Sequence, residues 1–209
     1  MDLGWARTFD SFWLSDNQSP EAGLRILKET MLRLPPRYID RWVAVRSLTN
    51  IQPDFRRQDS RLLSTDDATW THARTFGLSY YDAFADGGSF GLSCDLAALS
   101  KDHIAHFKNL IGEKVQQREF WRTAVCRILC DTKDVVVFQN SDVALEEVHL
   151  LVIAERPSQR SVCVHPVLDP TQEYEINGVK KSAARLAQDG LVIPVGQWQA
   201  NETILKVVR

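Results

Sequence analysis

Apolar and polar positions change their period along the chain, and the changes divide it into parts. The run Ser11-Phe12-Trp13-Leu14 is largely apolar, and Ser15-Asp16-Asn17 breaks it. An apolar run that stops at polar turn residues predicts a buried strand leaving a core. From Pro20 the period becomes helical. Leu24, Leu27, Met31 and Leu34 recur at spacings of three and four, with Ile26 beside them. Ser19 suits an N-cap and Pro20 the first helical position. Pro35 and Pro36 end the helix, because neither has an N–H to donate. Tyr38 to Val45 then reads as a second strand. Strand, helix and strand in so short a span predict a βαβ unit with parallel pairing and a right-handed crossover.

Residues 47–90 are polar and rich in turn formers, with Trp70, Phe76, Tyr80, Tyr81 and Phe84 scattered among them. Long loops with short helical pieces are expected there. A helix is predicted from about Ser100, its N-cap, to Arg118, with Ile104, Phe107, Ile111 and Val115 as its apolar stripe. From residue 121 the period shortens again. The runs TAVCRILC, DVVVFQN, EEVHLLVIAE, SVCVHPVLD, EYEI, LVIPV and TILKVV alternate with turn residues. Short strands at this spacing predict an antiparallel sandwich. Asn177-Gly178 is its strongest hairpin signal. The fold class is therefore α/β followed by all-β, with residues 1–119 as the first domain and 120–209 as the second.

Composition narrows the function. The 209 residues carry 25 Lys plus Arg against 27 Asp plus Glu, and 44% are apolar. A wholly disordered chain is excluded by those values. A net charge of −2 argues against a nucleic-acid binder, which needs a basic face. No run of about 18 apolar residues predicts a membrane helix. Asp2 and Asp10 interrupt the N-terminal region, which does not read as a signal peptide. The cysteines Cys94, Cys126, Cys130 and Cys163 form no C-x-x-C pair. They read as buried free thiols, with Cys126 and Cys130 on one face of a strand. A cytoplasmic location is expected.

Candidate chemistry is sparse. Ser15-Asp16-Asn17 follows a strand and precedes a helix, the position where parallel α/β folds place functional side chains. An Asp there suits a general acid or base, and it equally suits a helix cap. His103 and His106 read as a solvated helix face, since no third metal ligand is evident. Asp82, Asp86 and Gly87-Gly88 lack the ligand pattern of a calcium loop. Arg56 and Arg57 read as a solvated loop. No metal or cofactor is expected.

One resemblance gives these residues a context. Asp2-Leu3-Gly4, Trp13, Ser15-Asp16-Asn17 and Leu24-Arg25-Ile26 match, without a gap, the D-L-G … W-x-S-D-(D/N) … L-(K/R)-I pattern of family 36 glycoside hydrolases, the α-galactosidase or melibiase group. Leu34-Pro35-Pro36 and Trp42-Val43-Ala44 resemble the family's next landmark, and Leu99-Ser100, Lys114, Arg118 and Arg127-Ile128-Leu129 a later one, more loosely. The resemblance implies that Asp16 is the general acid/base of a retaining glycosidase. Trp13, Ser15, Asn17 and Trp42 would then bind the substrate, an α-galactoside or related oligosaccharide. It departs from the family in Gly23, where an Arg is usual, and Trp42, where a His is common. The family's nucleophile, an Asp in a K-W-D type motif, has no counterpart here.

A full (β/α)₈ barrel needs about 250 residues. The resemblance thus implies the last strands of such a barrel followed by a C-terminal β-sandwich domain. Such a chain is inactive alone, because the retaining mechanism needs two carboxylates. Its partners would be the missing N-terminal barrel portion or further copies of itself. The alternative is a non-catalytic β-sandwich module, or a split-gene subunit that completes a barrel in trans. A galactosyl-transferring relative would use the same carboxylates.

Overall fold

The computed structural model describes residues 11–13, 20–44, 82, 83, 89–93, 97, 99–155, 157–197 and 199–208. The chain divides into two compact units, Met1–Arg122 and Thr123–Arg209.

In the first unit, β1 (Phe12–Trp13) pairs with β2 (Ile39–Ala44), and β2 with β3 (Ser89–Ser93). Both pairings are parallel, in the order β1-β2-β3. The described strands thus form a three-stranded parallel sheet and not a barrel. Helix α1 (Pro20–Met31) connects β1 to β2. It starts at the predicted Pro20, and its stripe buries Leu27 and Met31, with Leu34 just beyond. Thr30 Oγ1 donates back to the Ile26 carbonyl at 2.8 Å, which satisfies a buried hydroxyl inside the helix. A single 3₁₀ turn, Pro36–Tyr38, opens directly into β2.

Helix α2 (Lys101–Thr123) runs five residues beyond its expected end. Its cap is the predicted one, because Ser100 Oγ accepts from the His103 N–H at 3.2 Å. Its buried face is not. Phe107, Leu110 and Trp121 are buried, whereas Ile104, Ile111 and Val115 are 46%, 44% and 59% exposed. Polar side chains fill the positions between the buried ones. Gln117 Oε1 accepts from Lys114 Nζ and from Trp121 Nε1, each at 3.3 Å. Amphipathic stems can lie on an apolar surface while their tips bond one another, and counting only apolar residues misplaces the stripe.

The second unit is built on a six-stranded antiparallel sheet. Its strands are β4 (Val125–Asp131), β5 (Val135–Ser141), β6 (Glu147–Ala154), β11 (Gln199–Val207), β8 (Glu173–Ile176) and β9 (Val179–Ser182), in that spatial order. The last strand thus enters the middle of the sheet, between β6 and β8. Strands β7 (Ser161–Val164) and β10 (Leu191–Pro194) form a two-stranded sheet that shares the core. Val137, Leu150, Leu205, Val164 and Ile193 meet there. The second sheet has two strands, so it is narrower than the expected sandwich. A helix, α3 (Ala183–Asp189), packs Ala183 and Leu186 into the same core. It was not expected, although Ser182 caps it by accepting from the Arg185 N–H and Gly190 ends it at φ +71°.

Asn177 and Gly178 both adopt positive φ, 51° and 79°. That is the two-residue hairpin conformation which Asn-Gly favours, and it sets Ile176 opposite Val179. Gln139 and Tyr174 are tied to backbone groups. Gln139 accepts from the Val167 N–H and donates to the Val167 carbonyl, both at 2.8 Å. Tyr174 donates to the Leu145 carbonyl at 2.8 Å and accepts from the Asp169 N–H at 3.1 Å.

Cys94 lies outside the described residues, and the described cysteines depart from the expectation of buried thiols, with Cys126 and Cys130 on one face. A bulge between Ile128 and Cys130 sets Cys126 opposite Asn140 but Cys130 opposite Val137. One extra residue reverses the alternation, so the two thiols point to opposite faces. Cys126 and Cys130 are half-buried, and Cys163 is exposed.

Candidate functional site

The sequence motif lies at a strand–helix connection. Strand β1 ends at Trp13 and α1 begins at Pro20. Ser15, Asp16 and Asn17 fall between them in the chain and lie outside the described residues. Trp13 and Trp42 are placed by their backbones alone. Trp13 is in register with Asp40, and Trp42, two residues further along β2, is in register with Gly91 of β3. The structure thus brings the strands carrying Trp13 and Trp42 together as parallel neighbours. Asp86, Gly87, Gly88, Arg56 and Arg57 also lie outside the described residues.

Polar side chains support this sheet. Asp40 Oδ1 accepts from Ser89 Oγ at 3.0 Å, which links β2 to β3. Arg41, on the next position, is 1% exposed. Its Nη1 donates to the Ala83 carbonyl at 3.5 Å, and its Nη2 lies 2.9 Å from Met31 Sδ at the end of α1. A buried guanidinium in the strand therefore bonds to the end of α1 and to the backbone at Ala83. Nothing in the hydrophobic pattern marks Arg41 as buried.

His106 is not on a solvated face. Its Nε2 lies 2.9 Å from Asp82 Oδ1, with both side chains largely covered. Burial raises the Asp82 pKa, and the hydrogen bond and charge of His106 act against that rise. The residues were separately visible in sequence, but their separation of 24 positions concealed the pair. Chemically, an Asp–His pair can fix an imidazole or pass a proton.

The second unit holds a tighter cluster. His149 is fully buried, with Nδ1 2.8 Å from Glu202 Oε1 and Nε2 2.8 Å from Glu147 Oε1. Lys206 Nζ lies 3.2 Å from the other oxygen of Glu147. A cavity of about 310 Å³ on the same unit is lined in part by Cys130, Thr132, Asp134, Ser158 and Gln159. It has no aromatic wall on which a sugar ring could stack. Among the described residues no group of three His, Cys, Asp or Glu side chains could hold a metal ion. No helix among them is long and apolar enough to cross a membrane.

Known structures share this architecture. The galactosidase domain of the α-galactosidase–sucrose kinase AgaSK superposes with a TM-score of 0.78 at 17% identity, over 99% of this chain and 27% of that one. The family 36 α-galactosidase AgaA from Geobacillus stearothermophilus gives a TM-score of 0.76 at 17% identity, again over 99% and 27%. The α-galactosidase from Lactobacillus brevis gives 0.78 at 14% identity, over 100% and 28%. No family model matches the chain, and no curated protein does. The chain spans about a quarter of the length of these structures. Its fold is that of a portion of the family 36 α-galactosidases, and the coverage is consistent with their C-terminal portion.

Proposed function

We propose that these residues form the C-terminal portion of an α-galactosidase-like retaining glycoside hydrolase, with the last strands of its (β/α)₈ barrel and its terminal β domain. Asp16 is its general acid/base. The observation that carries the reading is the place of the S-D-N motif in the chain. It follows a parallel strand, β1, and precedes α1, where such barrels place their catalytic groups. The likeness in fold to α-galactosidases over almost the whole chain supports it. Variants of AgaA have been solved with raffinose and with stachyose, and an α-galactoside of that kind is the proposed substrate.

Asp16 protonates the departing glycosidic oxygen and afterwards deprotonates the attacking water. Trp13, Ser15, Asn17 and Trp42 orient the sugar beside it. The nucleophilic carboxylate comes from a barrel segment upstream, in a longer form of this polypeptide or in a second chain. Cys130 and Cys163 form no disulfide, which suits a reducing compartment, and we assign the protein to the cytoplasm.

Turnover of an aryl α-galactoside tests the reading. The 209-residue chain is expected to be inactive, and a form extended upstream through a K-W-D segment active. Asp16→Asn in the extended form lowers kcat by about 10²–10⁴. Robust turnover by the short chain, abolished by Asp16→Asn, would overturn the requirement for a missing nucleophile.

The second reading is a non-catalytic module or a subunit that completes a barrel in trans. It draws on the exposed apolar residues Ile104, Ile111 and Val115 of α2, an apolar face suited to a partner. Size measurement separates the independent module from a portion of a barrel. A stable monomer favours an independent module, and stability only with an added chain favours the barrel.

A further inference from the structure

We infer that Cys163 and His165 form a nucleophile–base pair on the outer face of β7, a site for thiol–disulfide exchange with low-molecular-weight disulfides. The site is independent of the proposed glycosidase chemistry.

The geometry begins with strand alternation. Val164 is turned into the core and Val162 packs against it, while Cys163 is exposed. His165, two residues on, shares the face of Cys163, as period-two alternation requires. Cys163 Sγ lies 3.8 Å from His165 Nε2, within reach of an S–H···N hydrogen bond. The other ring nitrogen settles the tautomer. His165 Nδ1 lies 3.0 Å from the Ala187 carbonyl of α3. A carbonyl only accepts, so Nδ1 carries the hydrogen, and a neutral ring turns the lone pair of Nε2 toward the thiol. A nucleophile, a base and a group that orients the base are thus assembled from β7 and α3.

Gly190 makes the approach possible. A Cβ at that position would run into Cys163 Sγ and press on the His165 ring. Its φ of +71° disfavours a side chain as well. The thiol has one competing acceptor, the Asp189 carbonyl at 3.6 Å. That oxygen can take a hydrogen bond but not the proton, whereas the imidazole can take both. The nearby charges are a matched pair, since Arg185 Nε lies 3.2 Å from the Asp189 carboxylate.

In the exchange, the Cys163 proton moves to His165 Nε2. The thiolate attacks one sulfur of the disulfide RSSR and forms a new S–S bond. The old S–S bond breaks, and RS⁻ leaves with its electron pair and takes the proton from the imidazolium. Cys163 is oxidised to a mixed disulfide and RSSR is reduced to one RSH, with no further reactant. Cys126 and Cys130 are half-buried on β4 and provide internal references.

The test is the rate of labelling of the full chain at neutral pH by 5,5′-dithiobis(2-nitrobenzoate), followed by released thionitrobenzoate and assigned by peptide mass spectrometry. Cys163 is expected to label about tenfold or more ahead of Cys126 and Cys130, because rate follows thiolate character and access. His165→Gln is expected to slow Cys163 about fivefold without altering the other two. A second comparison needs no variant. Exposure alone cannot make a folded thiol react faster than the same thiol in the unfolded chain. Cys163 in the native chain should therefore outpace Cys163 in concentrated guanidinium chloride. Equal or slower native labelling, or an unchanged rate in a folded His165→Gln chain, overturns the proposal.

Discussion

Each unit sets a histidine against carboxylate, and the carboxylates respond in opposite senses. Asp82 in the first unit has its pKa raised, because burial outweighs what His106 returns. Glu147 in the second unit has its pKa lowered, because its hydrogen bond with His149 outweighs burial and Lys206 adds to it. Burial decides the sign: it is the largest influence on Asp82, whereas on Glu147 the His149 hydrogen bond alone outweighs it. Asp82 faces a single imidazole at 2.9 Å, whereas Glu147 faces His149 at 2.8 Å and Lys206 at 3.2 Å. His149 shows the same competition from the other side. Burial disfavours its charged form, yet hydrogen bonds and charge from Glu147 and Glu202 raise its pKa. A half-satisfied buried charge is a cost, and a fully bonded one holds strands together.

The largest effect should come from removing the centre of the better-bonded cluster. His149→Ala takes both hydrogen bonds from β6 and β11 and should destabilise the second unit by roughly 2–3 kcal/mol, read by urea unfolding of the full chain. A loss below about 0.5 kcal/mol, the size of an ordinary surface change, would mean that the cluster does not hold the sheet.

The pH dependence comes next. A raised His149 pKa contributes stability that is complete below the unfolded value of 6.5 and is lost as pH rises through the folded value. A lowered Glu147 pKa contributes stability that is complete above 4.5 and is lost as pH falls through its folded value. The cluster therefore supports the second unit best between pH 4.5 and 6.5, with a decline on either side. A melting temperature that rises through the neutral range, in wild type but not in His149→Gln, would contradict this sign.

Asp82 should behave in the opposite sense. Its raised pKa makes the ionised form the costly one, so its contribution falls as acid pH rises toward neutral. His106→Ala removes two influences that lower the Asp82 pKa. Carbon-detected NMR titration should then find the carboxyl titrating still higher, with the first unit weakened by about 1 kcal/mol. A downward move would sink the idea that burial dominates there.

The smallest effect belongs to Lys206, which is 61% exposed. Lys206→Met should cost less than about 0.5 kcal/mol and vanish in high salt. A loss as large as that of His149→Ala would place the strength of the cluster at its surface.

Local signals were legible from residues close in sequence. Pro20, Ser100 and Asn177-Gly178 mark what they predict, because a cap or a two-residue turn is decided within a few bonds. The same local logic was available for α3, with Ser182 before it and Gly190 after it, but the surrounding β pattern masked it. The α2 stripe went wrong where Lys114 and Gln117 replaced apolar residues on the buried face. The Cys126 and Cys130 faces went wrong because a bulge does not alter composition. Of the candidate site, the motif around Asp16 was legible as a resemblance. The Asp82–His106 pair, buried Arg41 and the Cys163–His165 pair emerged only from coordinates.

The sequence by itself determined the parallel strand–helix–strand start, the Ser100 cap and the Asn177-Gly178 hairpin, since each rests on periodicity or on the torsions of one or two residues. Tertiary structure decided the entry of β11 between β6 and β8, the narrow second sheet and every buried charge pair. Those depend on which distant segments meet, and the energy of burying a charge depends on its partners rather than on its own residue type.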